Sequence, residues 1–152
     1  MKNLKDAREF CFQYFFHLQL PIFEGIKEEL QDTDNNESLI NSINEYKQTT
    51  NHLFDNDINN LIVDRIQGTL INYDALEEKI SEYLKNWKIE RLSKVDHTNL
   101  LLSTYELCFE QQTPKNVIIN EAIEISKKFG TKESAAFING ILDNMAKEVR
   151  EN

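Results

Sequence analysis

A pair of amphipathic helices near the C-terminal end constrains the fold of this chain more than any other feature. Residues 116–143 read NVIINEAIEISKKFGTKESAAFINGILD. Their apolar residues recur at helical spacing on both sides of Gly130. We expect Gly130 to adopt the left-handed conformation that often ends a helix, and Thr131 to cap the helix that follows. Each helix carries an apolar stripe that must be buried, which favours an all-α fold.

Composition and periodicity along the rest of the chain favour the same fold class. The 152 residues include four glycines and two prolines, which are fewer turn residues than a sheet protein usually needs. Apolar spacing predicts about seven helices, among them helices at about residues 4–20, 37–54 and 74–87. A further helix at about residues 95–109 is the most apolar, so we expect it to be the central helix.

No combination of residues in the sequence predicts catalysis. His17, His52 and His97 lie on different predicted elements, and neither Cys11 nor Cys108 is near a histidine in sequence. The chain also lacks a phosphate-binding glycine loop, a dinucleotide-binding fingerprint and a nucleophile elbow. We therefore expect no enzyme activity, no cofactor and no metal site, and we expect both cysteines to be free thiols.

The charge and the hydropathy of the chain argue against other classes of protein. A net charge of −9 is unsuited to coating nucleic acid non-specifically, although a local basic patch is compatible with it. No apolar run approaches the length that spans a bilayer, and no N-terminal apolar segment with a cleavage site is evident. The sequence predicts a cytoplasmic protein without membrane contact.

Several motifs of the chain occur in the order found in one known family. INEAIEISKKFG followed by FINGILD resembles the C-terminal signature of the NusB family of bacterial transcription antitermination factors. Upstream, WKIERLSKVD at residues 87–96 resembles the family's W-x-x-x-R-x-x-x-V-D pattern, and YEL, Pro114 and Val117 continue in order. At the other end, AREFCFQYFFHLQ at residues 7–19 resembles the family's first helix.

The resemblance implies both a fold and a function. The fold would be a single all-helical domain built as two packed three-helix subdomains, here at about residues 1–72 and 73–152. The function would be to bind boxA-like RNA together with NusE, a ribosomal protein of the small subunit. In the family, this pair joins the antitermination complex of RNA polymerase, notably while ribosomal RNA is transcribed.

The resemblance also implies which residues contact RNA. The positions that match the family's basic N-terminal segment and the junction of its last two helices are Lys2, Lys5, Arg8, Lys127, Lys128, Lys132 and Phe137. Such cations suit phosphates, and an aromatic ring suits an unstacked base. The same residues also have structural explanations, because lysines suit the carbonyl end of a helix and Phe137 has core-like spacing.

Charge complementarity predicts a surface for the protein partner. NusE is basic, so acidic residues near the central helix and the helix junction are candidates, namely Asp96, Glu106 and Glu133.

Three alternatives to the RNA-binding adaptor remain open at the level of the sequence. The N-terminal segment is poorer in arginine than is usual in the family, so a helical protein that binds NusE but not RNA is the first. An RNA-modifying enzyme is the second, since a NusB-like domain precedes some ribosomal RNA methyltransferases. A homodimer that hides the RNA-binding surface is the third.

Overall fold

The computed structural model describes residues 4–32 and 36–150, and this part of the chain is helical without any strand. It contains eight α-helices where the sequence predicts about seven, so the all-α fold class is confirmed. The helices are α1 (Leu4–Leu18), α2 (Glu24–Leu30), α3 (Asn36–Thr49), α4 (Asn56–Ile71), α5 (Tyr73–Ser81), α6 (Lys94–Phe109), α7 (Lys115–Phe129) and α8 (Ser134–Val149). Short 3-10 segments at Pro21–Phe23 and Ile89–Arg91 precede α2 and α6.

The chain divides into two compact units, Met1–Ile71 and Asn72–Asn152. This boundary lies close to the one that the sequence predicts, while the independence of the two parts as subdomains stays a prediction. No helix in the described ranges has the length and apolar character needed to cross a membrane.

The first unit is built around aromatic side chains of α1, which packs against α4. Phe10, Tyr14 and Phe15 have no exposed surface. The Tyr14 hydroxyl lies 2.7 Å from Ser42 Oγ on α3, which satisfies its hydrogen bonding inside the core. Burial raises the pKa of Tyr14 to about 12, because the ionised phenolate would lose its hydration.

The second unit is organised around α6, which packs against α5, α7 and α8. Leu100, Leu101 and Leu107 on this helix are fully buried, which confirms the predicted central helix. Its polar residue Asn99 is buried as well, and its amide donates hydrogen bonds to Ala122 O at 2.9 Å and to Ser126 Oγ at 3.1 Å on α7. α6 and α7 are therefore held together by specific polar contacts as well as by apolar packing.

Three helices end earlier than their apolar spacing predicts. α1 ends at Leu18 because a proline-initiated 3-10 turn follows it, and α3 ends at Thr49 before Asn51, whose φ of 59° is left-handed. α5 ends at Ser81 rather than near residue 87, because the backbone tightens to i→i+3 hydrogen bonds over residues 82–84. The prediction that this helix extends to about residue 87 is therefore wrong, and Trp87 lies in the connection between α5 and α6.

Candidate functional site

The junction between α7 and α8 is a tight turn that depends on a glycine. Gly130 has φ −96° and ψ −169°, which is extended backbone, so the predicted left-handed conformation is wrong. A β-carbon at this position would lie 2.7 Å from Ser134 Oγ and 2.8 Å from the backbone oxygen of Ser126. Glycine is required here because α7 and the start of α8 approach too closely for any side chain.

The prediction that the Thr131 side chain caps α8 is also wrong, because Thr131 donates a hydrogen bond to Ser134 through its backbone N–H. α8 begins at Ser134, and the Ser134 hydroxyl accepts a hydrogen bond from the Thr131 backbone N–H at 3.1 Å. Ser134 is 2% exposed, so this bond forms inside the turn. The turn is thus fixed by Ser134 from the α8 side, with Thr131 as the donor.

We expect Gly130→Ala to lower the free energy of unfolding by about 1–3 kcal/mol, because the added methyl group forces backbone and side-chain shifts. Denaturant unfolding of the purified protein measures this change. Gly140→Ala is the matched control, since a β-carbon there meets no atom within 4 Å and alanine has the higher helix propensity. Equal stability of Gly130→Ala and the wild type would contradict the close approach at this turn.

A surface cavity of about 230 Å³ opens beside this junction. It is lined by Trp87, Arg91, Leu92, Ser93, Asp96, Thr131, Glu133, Ser134 and Phe137. Three of the residues that the sequence predicts for binding, Asp96, Glu133 and Phe137, therefore line one site. The first turn of α6 supplies Asp96, and the start of α8 supplies Glu133 and Phe137.

The polar and aromatic groups of this cavity differ in their accessibility. The Asp96 backbone N–H donates to the capping Ser93 hydroxyl at 3.1 Å. In contrast, Asp96 Oδ1 is buried and has no hydrogen-bond partner in the described part of the chain. Phe137 is half-buried rather than part of the core, and it also lines a neighbouring cavity of about 320 Å³. An incoming group can meet the accessible part of the Phe137 ring here.

The three lysines of the junction lie outside the cavity lining. Lys127 is exposed and pairs with Glu124 at 3.7 Å, and an exposed pair of this kind contributes little to stability. The Lys128 ammonium lies 5.6 Å from the centre of the Phe129 ring. Lys132 is exposed in the turn itself. These side chains place positive charge around the junction without filling the cavity.

The remaining predicted residues have different degrees of exposure. Lys5 is exposed in the first turn of α1, whereas Arg8, which the resemblance implies as an RNA contact, is only 9% exposed. Glu106 is 3% exposed, because α6 is packed on several sides, and its carboxylate is not on an open surface. Lys2 lies outside the described residues.

Sequence reasoning missed the contribution of Trp87 and Arg91 to this site. In the sequence, both residues stand out only as parts of the family's W-x-x-x-R-x-x-x-V-D pattern, although Trp87 is 60% exposed and both residues line the cavity. The signal that could have found them is the run KNWKIERLSK, in which basic residues alternate with an aromatic residue. Within the described ranges, no group of three or more His, Cys, Asp or Glu side chains is placed to hold a metal ion.

Comparison with known proteins gives consistent matches across the whole chain. The model of the NusB family matches residues 5–147. A transcription antitermination protein NusB from Thermodesulfovibrio yellowstonii is 38% identical over 148 residues, which are 97% of this chain and 93% of that protein. The solved structure of T. maritima NusB is 36% identical, with a TM-score of 0.76 over 97% of this chain and 94% of that chain.

A more distant structure shares the fold. A chain of the crystal structure of antitermination factors NusB and NusE in complex with dsRNA is 19% identical, and its TM-score is 0.74 over 95% of this chain and 96% of that chain. The fold and the site together define an all-helical protein with a surface cavity at a helix junction. With the family match and the relatives above, the chain belongs to the NusB family.

Proposed function

We propose that this protein is a transcription antitermination factor that binds boxA-like RNA together with NusE during transcription of ribosomal RNA. Membership of the NusB family and the names of the relatives support this role. The observation that carries the proposal is the cavity beside the α7–α8 junction, which combines Phe137 with Asp96 and Glu133 and has exposed lysines around it. The role is that of a cytoplasmic adaptor without catalysis.

The RNA would bind at the junction through phosphates and an unstacked base. Lys127, Lys128 and Lys132 are exposed in the last turn of α7 and in the turn after it, where cations can contact phosphates. The accessible part of the Phe137 ring offers a base a surface to stack on. Lys5 and Lys2 are proposed as a separate N-terminal contact, and the buried Arg8 is left out of the proposal.

The protein partner would bind through the acidic side of the same cavity. Asp96 and Glu133 both line it, and NusE is basic, so opposite charges meet. The buried Glu106 is left out of this surface.

The second candidate function is an interaction protein that binds NusE and has no affinity for RNA. The net charge of −9 and the burial of Arg8 favour it, because both reduce the attraction for phosphates. RNA titration of the preformed complex with NusE separates the two candidates. The adaptor binds boxA-like RNA in this titration, and the interaction-only protein does not.

The double substitution Lys127→Glu and Lys132→Glu tests the junction as the RNA site. We expect it to lower the RNA affinity of the complex with NusE on the order of tenfold, because two cations that neutralise phosphates are reversed. Fluorescence anisotropy with a labelled boxA-like RNA measures the affinity. Lys115→Glu with Lys147→Glu makes the same change of charge on α7 and α8 away from the junction, and we expect a smaller loss. Equal losses for the two pairs would argue against a site at the junction.

A further inference from the structure

The connection between α5 and α6 contains the most basic stretch of this acidic chain. Residues 85–94 read KNWKIERLSK, with four basic residues and one acidic residue in a protein whose net charge is −9. We call this stretch the 85–94 segment. Its cations recur every three residues, at Lys85, Lys88, Arg91 and Lys94. An excess of positive charge that is this local attracts a polyanion even when the whole protein repels one.

The structure leaves the cations of the 85–94 segment free for a ligand. All four are exposed, and no residue of the segment is buried. Within the described ranges, none of the four forms an ion pair with the protein. The backbone is extended at Lys88, Leu92 and Ser93, so the segment is not a regular helix with salt-bridged faces. Charges of this kind contribute little to folding, and they are available for contacts with phosphates.

An aromatic residue interrupts these cations at the surface. Trp87 is 60% exposed, whereas Leu84, three residues earlier in the chain, is 9% exposed and anchors the chain after α5. The indole lines both the cavity of about 230 Å³ and the neighbouring one of about 320 Å³. Phe137 lines the same two cavities, so the two aromatic residues border a continuous surface. Exposed aromatic rings among cations form the usual platform on which single-stranded nucleic acid stacks.

We propose that the 85–94 segment is a binding surface for single-stranded RNA, in which Trp87 stacks on an unpaired base and the four cations contact phosphates. This proposal rests on the proposed function, and it extends the RNA site from the α7–α8 junction across Phe137. A basic protein such as NusE is repelled by four unpaired cations, so the charge of the segment favours RNA over that partner. Arg91, which lines the cavity next to Asp96, marks the point where the RNA and protein surfaces meet.

The single tryptophan of the chain provides a direct measurement. The complex with NusE is titrated with boxA-like single-stranded RNA while tryptophan emission is recorded, and the Trp87→Phe complex supplies the background from NusE. We expect quenching in the wild-type complex, since a stacked base contacts the indole. We expect Trp87→Ala to weaken RNA binding about tenfold and Trp87→Phe to retain most of the affinity. Phe109→Ala is the matched control, because Phe109 is 53% exposed in the same unit, and it leaves the affinity unchanged.

Neutralising the cations gives an independent test that does not depend on the indole. The logarithm of the RNA binding constant falls linearly with the logarithm of the salt concentration. We expect Lys85→Gln with Lys88→Gln to make this slope less steep by about 0.7 for each phosphate that is no longer neutralised. Lys85 and Lys88 are both exposed, so their substitution leaves the fold intact. The test therefore remains valid if a substitution of Trp87 disturbs the fold.

Each result either supports or overturns the proposal. RNA binding without quenching, with unchanged affinity for Trp87→Ala and an unchanged salt slope, overturns the proposal and leaves the proposed function intact. Loss of NusE binding instead of RNA binding assigns the segment to the protein partner and also overturns it. A wild-type complex that fails to bind RNA overturns the proposed function, and this inference with it.

Discussion

Replacing Leu101 by aspartate is expected to unfold the C-terminal unit of the protein. Leu101 has no exposed surface, and it lies on α6, which packs against three other helices. The substitution loses about 2–3 kcal/mol of apolar burial. It also places a carboxyl group where it has no partner, and the combined cost exceeds about 4 kcal/mol. Since a domain of this size is stable by only about 5–15 kcal/mol, a large share of that stability is lost.

Circular dichroism at 222 nm on heating, or with increasing urea, measures the effect of Leu101→Asp. The control is Leu101→Met, which keeps volume and apolarity and is expected to cost less than about 1.5 kcal/mol. A cooperative unfolding transition of Leu101→Asp at the wild-type midpoint would mean that α6 is not the central helix.

Replacing Arg150 by alanine is expected to lower the free energy of unfolding by about 2–3 kcal/mol, because charged donors to several carbonyls are lost. The Arg150 guanidinium donates to four backbone oxygens, those of Glu106, Leu107, Glu110 and Thr113, at distances of 2.8–3.2 Å. Two of these oxygens, those of Glu106 and Leu107, belong to the last turn of α6, and Glu110 is the residue that caps the helix. Carbonyls in the last turn of a helix lack most of their partners within the helix. Arg150 therefore caps the central helix from the residue that follows α8.

The shift of the urea midpoint at constant slope reports the loss for Arg150→Ala. Arg150→Lys retains the charge but not the planar fork of donors, so an intermediate stability is expected. Lys147→Ala is the control for loss of a nearby cation, because Lys147 is exposed and pairs with Asp143 at 3.5 Å. An Arg150→Ala variant within about 0.3 kcal/mol of the wild type would show that water replaces the guanidinium at no cost.

Apolar periodicity predicts the helices well because each helix of this protein buries a stripe against its neighbours. α6 is the exception, because its consecutive residues Leu100, Leu101 and Leu102 are all buried, so its burial follows from its apolar content rather than from a stripe. The ends of the helices are less accessible to such reasoning. After α3, Asn51 has a left-handed φ of 59°, which prevents the helix from continuing. The spacing of apolar residues contains no information about such a backbone angle. Gly130 shows the same limit, since its role is set by the nearness of Ser134 and Ser126 rather than by its own conformation.

The sequence identifies several residues that line the candidate site, but it does not show which candidate residues are exposed. Asp96, Glu133 and Phe137 line one cavity because the starts of α6 and α8 lie side by side. Arg8 and Glu106 have the right charge for binding, yet both are buried, and burial depends on neighbours that a motif does not specify. Trp87 shows the opposite error. Its apolar spacing assigns it to a helix, although it is exposed in a basic connection.

The most direct test of the central claim is RNA binding by this protein, alone and with its own NusE, on boxA-like and scrambled RNA at two salt concentrations. We predict tighter binding to the boxA-like RNA in the presence of NusE, loss of that binding on the scrambled RNA, and weakening with salt because phosphates are contacted. NusE binding without any affinity for the boxA-like RNA would contradict the adaptor function and would identify the protein as a partner of NusE alone.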